Sequence, residues 1–258
     1  MIVGLLMLGG GAAAGMFGSL LGLGGGVLIV PLLTLGFGLP LREAVGVSLV
    51  SVIMTSSAAA GVYLERHVAN LRLGMSLELF TALGALVGGS VAFLLDERLL
   101  ALLFAGLSAY IAFTMVRRRP DAGPQPTGGE GEPDGYVVHA MGKGVVGATF
   151  AGVISALLGI GGGIIKVPLM NLTMGVPLRV ATATSNLMIG ITASASAVIY
   201  LLRGEIDPYV AGPTAIGVFL GATLGSRLAP RIDLRLLRAL FVIVLIYTSV
   251  QMLLKAIG

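Results

Sequence analysis

The chain of 258 residues has no cysteine, no tryptophan, two histidines and few charges, with Asp, Glu, Lys and Arg making up 11% of it. Each scarcity excludes something. Without cysteine there is no disulfide and no thiol chemistry. His67 and His139 sit in loop-like, solvated stretches, and no close carboxylate pair falls within an apolar stretch. That leaves no ligand set for a metal and no reactive constellation for a hydrolase. About a quarter of the residues in a soluble domain are charged. Sixteen basic and 12 acidic side chains cannot clothe a soluble surface of this size. Without tryptophan, an aromatic belt at a membrane face must come from the 6 tyrosines and 9 phenylalanines.

What is abundant points the same way. Hydrophobic residues make up 56% of the chain, mean hydropathy is +1.01, and there are 40 glycines. Glycine is commoner in membrane helices than in soluble ones. The surroundings expected are membrane lipid. The basic balance, with a pI near 9.7, reads as Lys and Arg gathered on cytoplasmic loops, and no nucleic-acid partner is expected.

The stretch "GLGGGVLIVPLL" at 22–33 returns as "GIGGGIIKVPLM" at 159–170. A shift of 137 aligns the two halves without a gap over about a hundred residues. It superposes Gly24, Gly25 and Gly26 on Gly161, Gly162 and Gly163, Pro31 on Pro168, Arg42 on Arg179, Ser48 on Ser185, Thr55 on Thr192 and Gly88 on Gly225. The chain is a tandem duplication. Residues 1–116 form a first transmembrane repeat, 117–141 a hydrophilic cytoplasmic linker rich in Pro, Gly and charge, and 142–258 a second repeat. The first twenty residues lack a basic leader region and have a duplicated counterpart at 142–158, so they read as a helix of the fold.

Each half holds five apolar stretches: about 2–21, 26–37, 43–64, 73–95 and 99–116, then 142–158, 163–174, 180–202, 208–226 and 234–254. A spanning helix needs about 20 residues. The second stretch of each half is too short. If it completes a crossing, partly extended or in a thinned protein interior, each half has five segments and the halves are inverted. Cytoplasmic ends then carry eleven basic residues (Arg66, Arg72, Arg117, Arg118, Arg119, Lys143, Arg179, Arg227, Arg231, Arg235, Arg238) against four outside. If it only dips in, the split is eight against seven. The positive-inside rule favours inversion. The fold class expected is an all-α polytopic membrane protein of about ten transmembrane segments, as two inverted five-segment repeats with Gly-broken short helices.

Gly-interrupted short segments at matching places in inverted repeats point to a transporter's binding site. A break leaves the first N–H groups of the next helix unpaired, and these, with the helix dipole, favour an anion. Pro31 and Pro168 suit a helix's first turn. No Lys-Ser or Lys-Thr follows the glycines, so this is no nucleotide loop and no cofactor is expected. The candidate substrate-binding set is Gly24, Gly25, Gly26, Gly161, Gly162, Gly163, Ser48, Ser185, Asn186, Lys166, Arg42 and Arg179. Lys166 replaces Ile29 of the first copy and either attracts an anion or snorkels to an interface. Arg42 and Arg179 repeat at the "PLR" turn, where they also suit loop ends. Glu78, with Ala215 as its counterpart, is the candidate coupling carboxylate. Gly4, Gly84, Gly88, Gly221 and Gly225 read as close-packing positions.

With "LPLREAVGVSL" and "VPLRVATATSN" following the two glycine motifs, nearly the whole chain outside the linker resembles the TauE/SafE sulfite-exporter family of membrane transporters. The resemblance implies a multi-pass protein of the prokaryotic inner membrane. It implies export of sulfite or another small sulfur-containing or organic anion by alternating access around a midplane site. A passive anion channel, and uptake of a sulfur oxyanion or organic acid, are the alternatives. An enzyme is not expected, and a homo-oligomer is compatible with the pattern.

Overall fold

The computed structural model describes residues 2–21, 24–65, 69–117, 136–228 and 234–257. Most of the linker lies outside these residues, as do Gly22, Arg66, His67, Arg118, Arg119 and Arg231. So do the side chains of Arg117, Arg179, Arg227, Arg235 and Arg238, so the charge tally rests largely on groups beyond the described set.

The described residues are helical. In chain order the helices are α1 Ile2–Leu21, α2 Gly26–Pro31, α3 Leu41–Glu65, α4 Leu71–Ala92 and α5 Glu97–Arg117, then α6 Met141–Leu158, α7 Gly163–Pro168, α8 Leu178–Leu202, α9 Pro208–Leu228 and α10 Leu234–Ile257. Eight of them are long and apolar enough to cross a membrane. The exceptions are α2 and α7. Each runs on into a single π-helical turn, Leu32–Gly36 or Leu169–Thr173. The unit Gly26–Gly36 is helical throughout, so no extended stretch lengthens it. At 1.5 Å per residue it reaches about 16 Å, about half the roughly 30 Å hydrocarbon thickness.

Pro31 and Pro168 do not open their helices; they close α2 and α7 where the α-helix widens into the π turn. A proline ring clashes with the carbonyl four residues back and offers no N–H. The α-helix ends at the proline and the wider turn follows it. The Thr34 hydroxyl donates to the carbonyl of Val30 at 2.9 Å, four residues back in its own helical run.

Long helices pair across the two halves. α1 packs on α9 and α4 on α6, while α3 meets both α8 and α9, α4 also meets α8, and α5 meets α10. Exchanging the halves maps this contact pattern onto itself. Small residues set the closest approaches. A methyl on Gly11 would stand 2.6 Å from the carbonyl oxygen of Thr214, and Gly84 and Gly88 face the backbone of Thr149 and Val153. Gly221 and Gly225 do the same against Ala12 and Met16, while Gly4 meets only the Pro213 ring at 3.9 Å. Four of the five close-packing expectations, Gly84, Gly88, Gly221 and Gly225, thus have backbone neighbours, and Gly4 has looser company. Gly46, early in α3, lies against the carbonyl of Glu205 just past the end of α8, and Ser56, further along α3, donates to the carbonyl of Asn186 near the start of α8. α3 and α8, which occupy equivalent places in the duplication, therefore run antiparallel.

The surface is apolar. Leu5, Leu79, Leu83, Phe113, Phe150 and Ile243 point outward, whereas Ser51, Thr55, Thr81, Thr192 and Ser196 are buried. Those hydroxyls lie within reach of the carbonyl four residues earlier in their own helices, which can satisfy a buried hydroxyl without a partner helix. This inside-out polarity suits lipid.

Candidate functional site

The glycine triplets break the chain by their backbone angles. Gly24 and Gly25 have φ of 79° and 75°, and Gly161 and Gly162 have 87° and 75°. An L side chain pays steric strain there because its Cβ crowds the carbonyl. Gly25 and Gly162 cap α2 and α7, and their carbonyls accept the N–H groups of Leu28 and Ile29, and of Ile165 and Lys166. The N–H groups ahead of these lie outside the helical ladder.

The two breaks meet. Gly26 packs directly on the backbone of Gly159 and Ile160. Gly24 also approaches the Ile160 carbonyl, and both Gly24 and Gly161 lie against Ile189 of α8. Ser48 of α3 donates to the carbonyl of Gly159 at 2.7 Å, stitching one half to the break of the other. All six triplet glycines are buried. Ser185 lies beside Gly163, is fully buried, and its Oγ has no hydrogen-bond partner among the described residues. Its counterpart Ser48 bonds to Gly159, and the counterpart of Gly159, Gly22, lies outside the described residues. Ser155 of α6, which stands at Gly162, also has a buried Oγ with no partner among the described residues. Sequence reasoning passed over Ser155; its place four residues before Gly159 was the available signal.

Lys166 does not snorkel. It is 1% exposed, and its Nζ lies 3.1 Å from Oε2 of Glu78 on α4 and 2.6 Å from the hydroxyl of Thr192 on α8. Thr192 in turn lies 2.6 Å from Oε1 of Glu78. Three helices thus hold a closed triad inside the bundle, and the Lys166 Cε approaches the second triplet, 3.5 Å from where a Gly162 Cβ would stand. The frame is duplicated but the charges are not. At the matching place Thr55 stands near Gly25, and Ile29 of the first half and Ala215 of the second replace the lysine and glutamate.

The remaining candidates stand apart. Asn186 is buried, but its amide donates to the Thr182 carbonyl of its own helix at 3.0 Å. Arg42 donates to the Leu95 carbonyl at 2.6 Å and lies 5.8 Å over the Phe93 ring, which Arg203 also covers at 5.1 Å. It closes the end of α4 and does not reach the triplets. Arg179 sits in the first turn of α8. His139 is exposed, as expected of a loop residue. A cavity of about 560 Å³ opens elsewhere, among Val50, Met54, Ile206, Ala211, Ala215 and Phe219. Its walls are almost wholly apolar, so it offers an anion no donors.

Apolar-faced helices, two of them broken by glycine and meeting at a buried polar centre, define a polytopic membrane protein built like a transporter. The match to known proteins is of that kind: a family model described as sulfite exporter TauE/SafE covers residues 7–252, and the chain belongs to this family of membrane transporters. Among curated relatives, a probable membrane transporter protein, YunE, of Bacillus subtilis is 27% identical over 96% of each chain. A probable membrane transporter protein of Xylella fastidiosa is 28% identical, covering 96% of this chain and 94% of that one. The sulfite exporter TauE/SafE family protein 6 of Arabidopsis thaliana is 33% identical over 40% of this chain and 24% of its own length. No solved structure matches.

Proposed function

We propose that the chain is a secondary transporter that exports sulfite or a related sulfur-containing anion, alternating access to a site between the two glycine triplets. The observation that carries this is the meeting of Gly24–Gly26 with Gly159–Gly163 at the contact between the halves. Two helix starts come into contact there, and the unpaired N–H groups of helix starts favour an anion. Buried hydroxyls at Ser155 and Ser185 add donors without adding charge. The proposed substrate set is the six triplet glycines, Ser48, Ser185 and Lys166. Burial of every triplet glycine supports a gated carrier over an open pore. The partner is a small anion in a prokaryotic inner membrane.

Counterflow separates the readings. Vesicles preloaded with unlabelled sulfite and diluted into radiolabelled sulfite are expected to accumulate label transiently above equilibrium. A channel equilibrates without overshoot, and that result contradicts the carrier.

Alternating access rests on inverted halves. The antiparallel run of α3 and α8, equivalent in the duplication, supports inversion, as does the reciprocal pairing of α1 with α9 and α4 with α6. Gln125→Cys in the linker and Gly258→Cys at the chain end are expected to react with an impermeant thiol reagent from opposite faces. The native chain has no cysteine to confuse the readout. Labelling of both from one face contradicts the inverted arrangement.

A further inference from the structure

The geometry points to proton–anion symport in which Glu78 is an internal stand-in for the substrate: it occupies Lys166 when the carrier is empty and surrenders it to the anion by taking up a proton. This rests on the transport reading above and names its coupling.

The argument starts from charge. A buried ion without a counter-charge costs several kcal/mol. The Lys166 ammonium and the Glu78 carboxylate sit 3.1 Å apart, with Thr192 bonded to both. That centre carries no net charge. Bring in a monovalent anion alone and the centre holds one net negative charge. Bring in a proton alone and it holds one net positive charge. Bring in both and it is neutral again, with Lys166 paired to the anion and Glu78 a carboxylic acid. Only the neutral states cross the bundle cheaply, so anion and proton move together. The proton enters from the same side as the anion, rides on Glu78, and leaves on the other side as Lys166 returns to the carboxylate. Nothing is oxidised or reduced.

Position allows the exchange. The Lys166 Cε already lies at Gly162, between the ion pair and the triplets, with Ser155 on the same glycine. A change of rotamer turns Nζ from Glu78 toward the triplets. Thr192 keeps a second acceptor, the Met188 carbonyl at 3.1 Å, when Glu78 is protonated.

The other groups facing Glu78 do not compete. On α4 the charged neighbour is Arg72, which is exposed. α6 contributes Lys143, also exposed. α7 contributes Lys166 itself. α8 contributes Arg179, about 20 Å of helix axis before Thr192, and Tyr200, whose hydroxyl donates to the Ala156 carbonyl at 3.1 Å. The matching positions, Ile29 and Thr55 of the first half and Ala215 of the second, keep the frame without the charges.

An alkanesulfonate such as isethionate is the right probe because its own charge does not change across mildly acidic to mildly alkaline pH, unlike that of sulfite. In purified wild-type protein its apparent affinity is expected to rise up to about tenfold for each unit fall in pH. In proteoliposomes its flux is expected to carry one proton per anion and to ignore membrane potential. Glu78→Gln is expected to bind at neutral pH as tightly as wild type does at the acid end. The double variant Lys166→Met with Glu78→Leu removes the pair without leaving a lone charge, and its flux is expected to move no protons. The inference is overturned if Glu78→Gln keeps the wild-type pH slope, if the double variant still moves protons with the anion, or if wild-type flux carries net current. If wild type binds neither isethionate nor sulfite at any pH, it is the transport reading that fails.

Discussion

Lys166→Met alone is expected to destabilise the folded protein by about 3–5 kcal/mol, the range for removing one partner of a buried ion pair. Glu78 is then left in the bundle with Thr192 as its remaining partner. Adding Glu78→Leu to the same chain is expected to restore most of that loss, because buried pairs replaced by packed apolar residues are often neutral in stability. Thr192 stays satisfied through Met188, as Thr55 is through Ser51 at the matching place, where the charges are absent. Thermal or denaturant unfolding in detergent micelles measures both. Equal losses in the single and double variants contradict the closed triad. The comparison also separates a stabilising role from a coupling one: the double variant folds and yet is expected to lose proton movement.

The second large effect is on binding. Gly25→Val and Gly162→Val are each expected to lower anion affinity on the order of a hundredfold or more, since hydrogen bonds to a charged group are worth about 1.5–3 kcal/mol each. Both glycines have φ of 75°, where a β-branched residue is strongly disfavoured, so the donor arc must move. Each variant is compared at equal folded fraction. Gly88 is no control, because a Cβ there lands on the Val153 backbone. Gly106 is, because nothing lies within 4 Å of a methyl at that position. Gly106→Ala is expected to bind as wild type does. Wild-type affinity in both triplet variants contradicts the site.

The helices were legible because hydrophobic length, proline and glycine are local signals. The reading of 99–116 became Glu97–Arg117, and 26–37 became Gly26–Gly36. The place of Pro31 was misjudged for a physical reason. A glycine break followed by proline suggests a first turn, but the five residues between them already form a helix, and the proline falls where α gives way to π. The meeting of the triplets was half legible: duplication said that two breaks exist, and the break geometry said what each offers. Which side chains converge there was not, because it depends on how helices from different halves cross. Lys166 and Glu78 are 88 residues apart, and no period links them. One signal was available. Glu78, Thr81, Gly84, Ala85 and Gly88 form one helical stripe of small and polar residues, and that stripe is buried. A carboxylate on it had to find a partner inside the bundle. Arg42 shows the converse. Its repetition as Arg179 made it a candidate, whereas its bond to the Leu95 carbonyl and its contact with Phe93 account for it by structure.

The central claim is that a small oxyanion sits between the two triplets. Selenite has the shape and charge of sulfite, and its selenium scatters anomalously. Crystals of the protein grown with selenite are expected to give one strong anomalous peak bounded by Gly24–Gly26 and Gly161–Gly163, close to Ser185 and within reach of Lys166, and that peak should vanish in Gly162→Val. A peak at Arg42 and Arg203 alone, in protein that still carries sulfite, would contradict the account.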